Sequence, residues 1–166
     1  MLKYCEGVNI MSTESKGGIK IFKELIENKR VVYKESAEDW KEAISMASEP
    51  LLEQNLIEEE YIKAMIDSVE EHGPYIVIAP NIAIPHAKKE GAVNKTSMSF
   101  MRLKEAVNFG NKPEHKAKLI FVLASTDNES HLSLLENMVT KLSDQEIVDQ
   151  LLKSENIEDL KKIFDF

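Results

Sequence analysis

The sequence predicts an α/β domain in which helices cover both faces of a central sheet, and three observations carry that reading. Apolar residues recur at helical spacing in the first and last thirds of the chain. Short apolar or alternating runs, broken by proline and glycine, fill the middle. One of those runs, Leu119 to Leu123, is apolar at every position, which suits an interior strand buried under helices on both sides. No repeat, low-complexity tract or linker divides the chain after residue 18. The expected organisation is therefore a mobile N-terminal lead over residues 1–18 and one domain over residues 19–166. The lead is polar, ends in Gly17-Gly18 and holds a second methionine, so the expected start is open between Met1 and Met11.

In order along the chain, Ile21, Phe22, Leu25 and Ile26 form one apolar stripe, a short helix ending near Asn28. A strand is expected from Arg30 to Tyr33. Ser36 is the expected N-cap of the next helix, with Asp39 three residues on, and Trp40, Ala43, Ile44, Ala47 and Leu51 repeat at helical spacing. Pro50 is expected to kink or end that helix, since proline lacks the N–H that a helix interior uses. Tyr61, Met65 and Val69 build another helix, stopped by Gly73-Pro74. Sheet candidates follow at Tyr75–Ile78, Ile82–Ile84, Thr96–Leu103 and Lys118–Ala124, punctuated by Pro80, Pro85, Gly91, Gly110 and Pro113. Helical period then returns through Leu132, Leu135, Met138, Val139 and Leu142. It continues through Ile147, Val148, Leu151 and Leu152 after a Ser143 cap, and through Ile157, Leu160, Ile163 and Phe164.

Composition removes several classes. The 166 residues include 21 basic and 29 acidic ones, a formal charge of −8, which argues against a nucleic-acid binder because such a protein needs a basic stripe to displace counterions. With 43% hydrophobic residues the chain can bury a substantial core. Its longest apolar stretch, Leu119 to Ala124, is six residues against the ~20 of a spanning helix, and no secretory segment opens the sequence, so neither membrane insertion nor secretion is expected. The lone Cys5 offers neither an internal disulfide nor a zinc pair, and the cytosol is the expected compartment. There is no glycine-rich phosphate loop, no H-E-x-x-H and no G-x-S-x-G.

Four histidines remain. His72 stands at a helix end, where the dipole favours an imidazolium, and His115 stands in a polar loop; both read as structural. His86 follows an apolar run with a proline on each side of Ile82-Ala83-Ile84 and lies beside small Ala83 and Ala87. It suits an exposed nucleophile at a strand end, and equally a partly buried histidine bonded to a neighbouring turn. Unperturbed imidazole titrates near ~6.5, so most of it is neutral at pH 7 and able to attack phosphorus. His131 follows the interior strand and the polar cluster Ser125 to Ser130 and opens a helix. A loop entering a helix N-terminus offers free N–H groups to a phosphoryl group. Two histidines can share one site, but a metal would lack a third ligand, so no metal is expected. Lys88 and Lys89 read as solvated or as a positive rim.

The segment that carries His86 resembles a known signature. Glu71, six residues, then Ile78-Ala79-Pro80-Asn81-Ile82-Ala83-Ile84-Pro85-His86-Ala87 is similar to the phosphohistidine motif of the fructose/mannitol-type IIA components of the bacterial phosphoenolpyruvate-dependent sugar phosphotransferase system. The flanks Gly73-Pro74-Tyr75-Ile76-Val77 and Glu90-Gly91-Ala92-Val93-Asn94-Lys95-Thr96 resemble its ascorbate-type branch. Leu103 to Gly110, the interior strand and Ser130-His131-Leu132 follow in the family's order, so the resemblance covers about residues 19–166.

The resemblance implies one mixed sheet with helices on both faces and a cytosolic phosphotransferase component working without cofactor or metal. His86 would be phosphorylated by the histidine-containing carrier HPr, with His131 as second active-site histidine. The phosphoryl group would pass to a cysteine of a separate IIB component, which serves a membrane IIC permease. A regulatory phosphoprotein of the same fold and a plain interaction module are the alternatives. Asn81 departs from the pattern, since relatives usually carry glycine at a turn that calls for positive φ, a conformation asparagine tolerates next best. No arginine occurs from Tyr61 to Glu71, where some mannitol-type relatives carry one, so no arginine role is assigned.

Overall fold

A computed structural model describes residues 20–165, and the lead expected over residues 1–18, with Cys5 and Met11, lies outside them. The elements run α1 (residues 20–27), β1 (Val31–Lys34), α2 (Trp40–Glu53), α3 (Glu59–His72), β2 (Val77–Ala79), β3 (Asn81–Ala83), β4 (Ser97–Asn108), a 3₁₀ turn (Pro113–His115), β5 (Lys116–Ala124), α4 (Asn128–Leu142), α5 (Gln145–Lys153) and α6 (Ile157–Ile163).

The strands form one mixed sheet in the order β1-β4-β5-β3-β2. β4 and β5 pair antiparallel, β1 lies parallel to β4 and β3 parallel to β5, and β2 closes the edge antiparallel to β3. The strand without a polar face is thus the middle strand. Leu119, Phe121 and Leu123 of β5 enter a core with α1, α4, α5 and α6. Ile120, Val122 and Ala124 enter a second core with α2 and α3 on the other face. Aromatic packing anchors the first core: Phe100 and Phe121 stack at 4.6 Å, Phe22 meets both edge-on, and Phe164 stacks on Phe22 at 4.2 Å. Across β1 and β4, the buried Arg102 sets its guanidinium 5.5 Å from the Tyr33 ring.

Three expectations are corrected. The cap of α2 is Asp39 rather than Ser36: Asp39 Oδ1 accepts the Glu42 N–H at 2.8 Å, and the Glu42 carboxylate reaches back to the Glu38 N–H. Of the two outcomes expected at Pro50, a kink or an end, the end is excluded: α2 runs on to Glu53, because Ala47, Pro50 and Leu51 are all buried and packing outweighs the missing hydrogen bond. Ser143 is the C-cap of α4, and Asp144 takes the N-cap of α5 by accepting the Glu146 N–H at 3.0 Å. In addition, β4 extends to Asn108, five residues beyond the apolar run, through a register shift between Arg102 and Val107 that keeps Val107 in the core.

The β2–β3 hairpin sets up the site. Ala79 pairs with Ile82 around Pro80 and Asn81, and Asn81 has φ 71°. Proline followed by a residue of positive φ is the pattern of a type II turn. The asparagine meets the conformational demand foreseen for that position.

Candidate functional site

The chain leaves β3 at Ala83 and enters an irregular stretch holding His86. Its backbone is fastened one group at a time. Ile84 N–H donates to Ile76 C=O at 2.8 Å, and Pro85 C=O accepts from Leu123 N–H at 3.0 Å, so the segment stays moored to β5 after ladder pairing stops. His86 C=O accepts from the Tyr75 hydroxyl at 3.0 Å, and Ala87 N–H donates to the Tyr61 hydroxyl at 3.1 Å.

His86 Nδ1 lies 2.6 Å from Ile84 C=O. A carbonyl oxygen only accepts, so Nδ1 carries the proton and the lone pair of the neutral ring belongs to Nε2. Burial lowers the His86 pKa from its ordinary value, and the bond to Ile84 partly offsets this.

His131 stands in the first turn of α4, four residues after the N-cap Asp127. Its ring centroid is 5.0 Å from that of His86, with the planes at 56°. Its pKa is also lowered, first by burial, then by the proximity of His86 and of Lys88. Two half-buried imidazoles, both held neutral at pH 7, therefore share one site.

The pair borders an open cavity of about 710 Å³. Its α3 wall carries Lys63 and Asp67, ion-paired at 2.7 Å, together with Glu60 and Glu71; Lys88 and Lys89 also line it. His72, the last residue of α3, and Tyr75 complete it. His115 lies apart in the 3₁₀ turn, packed where a side chain at Gly110 would collide with it.

The expected open donors at the α4 N-terminus are not met as foreseen. Asp127 already accepts the Ser130 N–H at 2.7 Å and the Ser130 hydroxyl at 2.9 Å, which hold its pKa below the usual carboxylate range. A carboxylate thus occupies the positive end of the dipole. Among the described residues no group of three or more His, Cys, Asp or Glu is placed to hold a metal, and no helix is long and apolar enough to cross a membrane.

Tyr61, Ser68 and Tyr75 were not singled out in the sequence. Tyr61 reads as one more apolar position of its helix stripe, Ser68 lies off that stripe, and Tyr75 reads as the start of a strand.

Fold and site together define a mixed α/β domain that presents a pair of neutral imidazoles beside its central strand. Residues 24–166 match the family described as phosphoenolpyruvate-dependent sugar phosphotransferase system, EIIA 2. The mannitol-specific cryptic phosphotransferase enzyme IIA component of Escherichia coli K12 is 38% identical over 128 residues, covering 77% of this chain and 86% of the relative. A solution structure of the E. coli mannitol-specific cryptic enzyme IIA superposes with a TM-score of 0.70 over 81% of this chain and 89% of that one, at 36% identity. The ascorbate-specific PTS system EIIA component of the same strain is 32% identical over 134 residues, covering 80% and 87%. The fold is shared with E. coli IIA mannitol in its complex with phosphorylated IIB, with a TM-score of 0.72 at 24% identity over 82% of this chain and 94% of that one. The chain belongs to the EIIA 2 family: it is an EIIA component of the sugar phosphotransferase system, related to both mannitol-type and ascorbate-type members.

Proposed function

We propose that this protein is a cytoplasmic phosphocarrier that takes a phosphoryl group from phospho-HPr onto His86 and hands it to a cysteine of a separate IIB component, for carbohydrate uptake through a IIC permease. The observation that carries the reading is the 2.6 Å contact between His86 Nδ1 and Ile84 C=O, which leaves the Nε2 lone pair as nucleophile beside a second neutral imidazole. Family membership supports the phosphotransferase class. The IIA–IIB complex of E. coli mannitol proteins, which shares this fold, supports IIB as recipient.

In the first step Nε2 attacks phosphorus in line. The new N–P bond forms as the donor's P–N bond breaks, and the electron pair of the broken bond returns to the donor imidazole. The proton on Nδ1 stays put, and its bond to Ile84 C=O strengthens as the ring takes on positive character. In the second step the IIB thiolate attacks phosphorus and the pair returns to Nε2. Such transfer relies on positioning and charge stabilisation, and the group carries about two negative charges at neutral pH. With the helix end occupied by Asp127, that charge falls to the His131 N–H and to Lys88 and Lys89. No cofactor or metal enters either step.

The test is incubation with phosphoenolpyruvate, enzyme I and HPr, followed by addition of the cognate IIB. Transfer of the label to the IIB cysteine is expected for the parent and none for His86→Ala. Equal uptake by His86→Ala overturns the assignment, and a phosphoprotein that its IIB never discharges points to the regulatory alternative.

A further inference from the structure

We infer that Tyr75 is a positioning residue for the His86 nucleophile, its hydroxyl holding one end of the His86–Ala87 peptide while Tyr61 holds the other. The inference rests on His86 being the nucleophile, and it concerns how an irregular stretch of chain keeps that ring in place.

The peptide has two polar groups, and each is bonded to a tyrosine. His86 C=O accepts from Tyr75 Oη at 3.0 Å, and Ala87 N–H donates to Tyr61 Oη at 3.1 Å. A phenol has a single proton to give. Tyr75 gives its proton to the carbonyl, so the Ser68 hydroxyl, 2.9 Å away, donates to Tyr75 Oη. Tyr61 gives its proton to Leu123 C=O at 2.6 Å and accepts from Ala87. The nucleophile's peptide is thereby tied to α3 through Ser68 and Tyr61, and to the end of the central strand through Leu123.

The two clamps differ in what else they do. Tyr61 is fully buried and belongs to the core beneath the site. Tyr75 is 41% exposed, so its contribution to packing is small. Its ring instead stands perpendicular to that of His86 at 5.5 Å between centroids, and near His72 at 6.4 Å. An exposed aromatic with both hydrogen-bonding functions of its hydroxyl spent on the nucleophile's support is placed to orient rather than to stabilise. In-line transfer is sensitive to such orientation, where displacement by about 1 Å costs on the order of 100-fold in rate.

The test uses the full chain with Tyr75→Phe, which keeps the ring and loses the hydroxyl, and Ser68→Ala, which removes only the second link. Single-turnover uptake from phospho-HPr is measured against donor concentration. Histidine ring NMR of the unphosphorylated protein is measured beside it. Tyr75→Phe is expected to lower the rate at saturating donor about 10-fold with the half-saturating concentration unchanged. It should move the His86 ring resonances and leave the melting temperature within about 2 °C of the parent, with Ser68→Ala giving a smaller loss of the same kind. An unchanged saturating rate with unchanged His86 resonances overturns the proposal, as does a rate loss matched by a large loss of stability. If the parent itself takes up no phosphate, the phosphocarrier reading fails, and the ring resonances still decide whether Tyr75 orients His86.

Discussion

The rings of His86 and His131 lie 5.0 Å apart although 45 positions separate them in the chain. Parallel pairing of β3 with β5 makes this meeting possible: His86 follows β3 by three residues, and His131 follows β5 by seven, so both emerge at the same end of adjacent strands. If His131 supplies an N–H to the transferring group, His131→Ala slows uptake by about 100-fold without moving the phosphate from His86, since loss of one preorganised donor costs 10²–10³-fold. Stopped-flow or quench measurement with phospho-HPr checks this, and an unchanged rate removes His131 from the chemistry.

Both imidazoles titrate below their ordinary value of 6.5, which sets the direction of two pH effects. Uptake should stay flat from pH 6.5 to 8 and decline only on the acid side of 6.5, as His86 takes a proton. For stability, both rings are neutral in the folded and unfolded chains above the unfolded pKa, and their contribution there is at its fullest. As pH falls from about 6.5 toward the native values, the unfolded chain binds protons first and stability is lost. Urea midpoints of the parent, compared with a His86→Gln/His131→Gln variant to cancel the carboxylates, should show the parent losing its relative stability between pH 7 and 5. A relative gain on acidification contradicts the assigned shifts.

Tyr61 is the one buried phenol among the described residues whose hydroxyl serves both the His86–Ala87 peptide and the central strand. Burial pushes its pKa up to about 12, so it remains a hydroxyl at any working pH. Tyr61→Phe strands Leu123 C=O and Ala87 N–H and is expected to cost about 1–3 kcal/mol in denaturant unfolding. A loss below a few tenths would show that those groups find other partners.

At Asn81 the positive φ of 71° penalises any side chain that cannot adopt the left-handed region. Asn81→Ala should cost about 1–2 kcal/mol while Asn81→Gly stays within about 0.5 kcal/mol of the parent. Thermal unfolding of the two variants separates the outcomes, and equal stability of all three would deny the turn its conformational demand.

Much of this was legible in the sequence, for definite reasons. Leu119 to Leu123 announces a middle strand because no position in it tolerates water. His86 stands out because prolines and small residues flank it, and His131 because it follows that strand. Strand order and the antiparallel β4–β5 pairing were not legible, since pairing partners leave no local mark. Caps were misplaced at Ser36 and Ser143 because an aspartate lay within three residues of each, and only the fold decides which side chain reaches the free N–H. The tyrosine supports were invisible for a different reason. Tyr61 has the spacing of a core residue and is one, and its second task is done by a single oxygen that periodicity does not register.

The most direct measurement is the position and chemistry of the phosphate itself. The protein is charged with phosphoenolpyruvate, enzyme I and HPr, then mapped by mass spectrometry after acid and alkaline treatment. One phosphate on His86, labile in acid and stable in base, is the predicted result. A phosphate that survives acid, or one that still forms when His86 is replaced by alanine, would contradict the account.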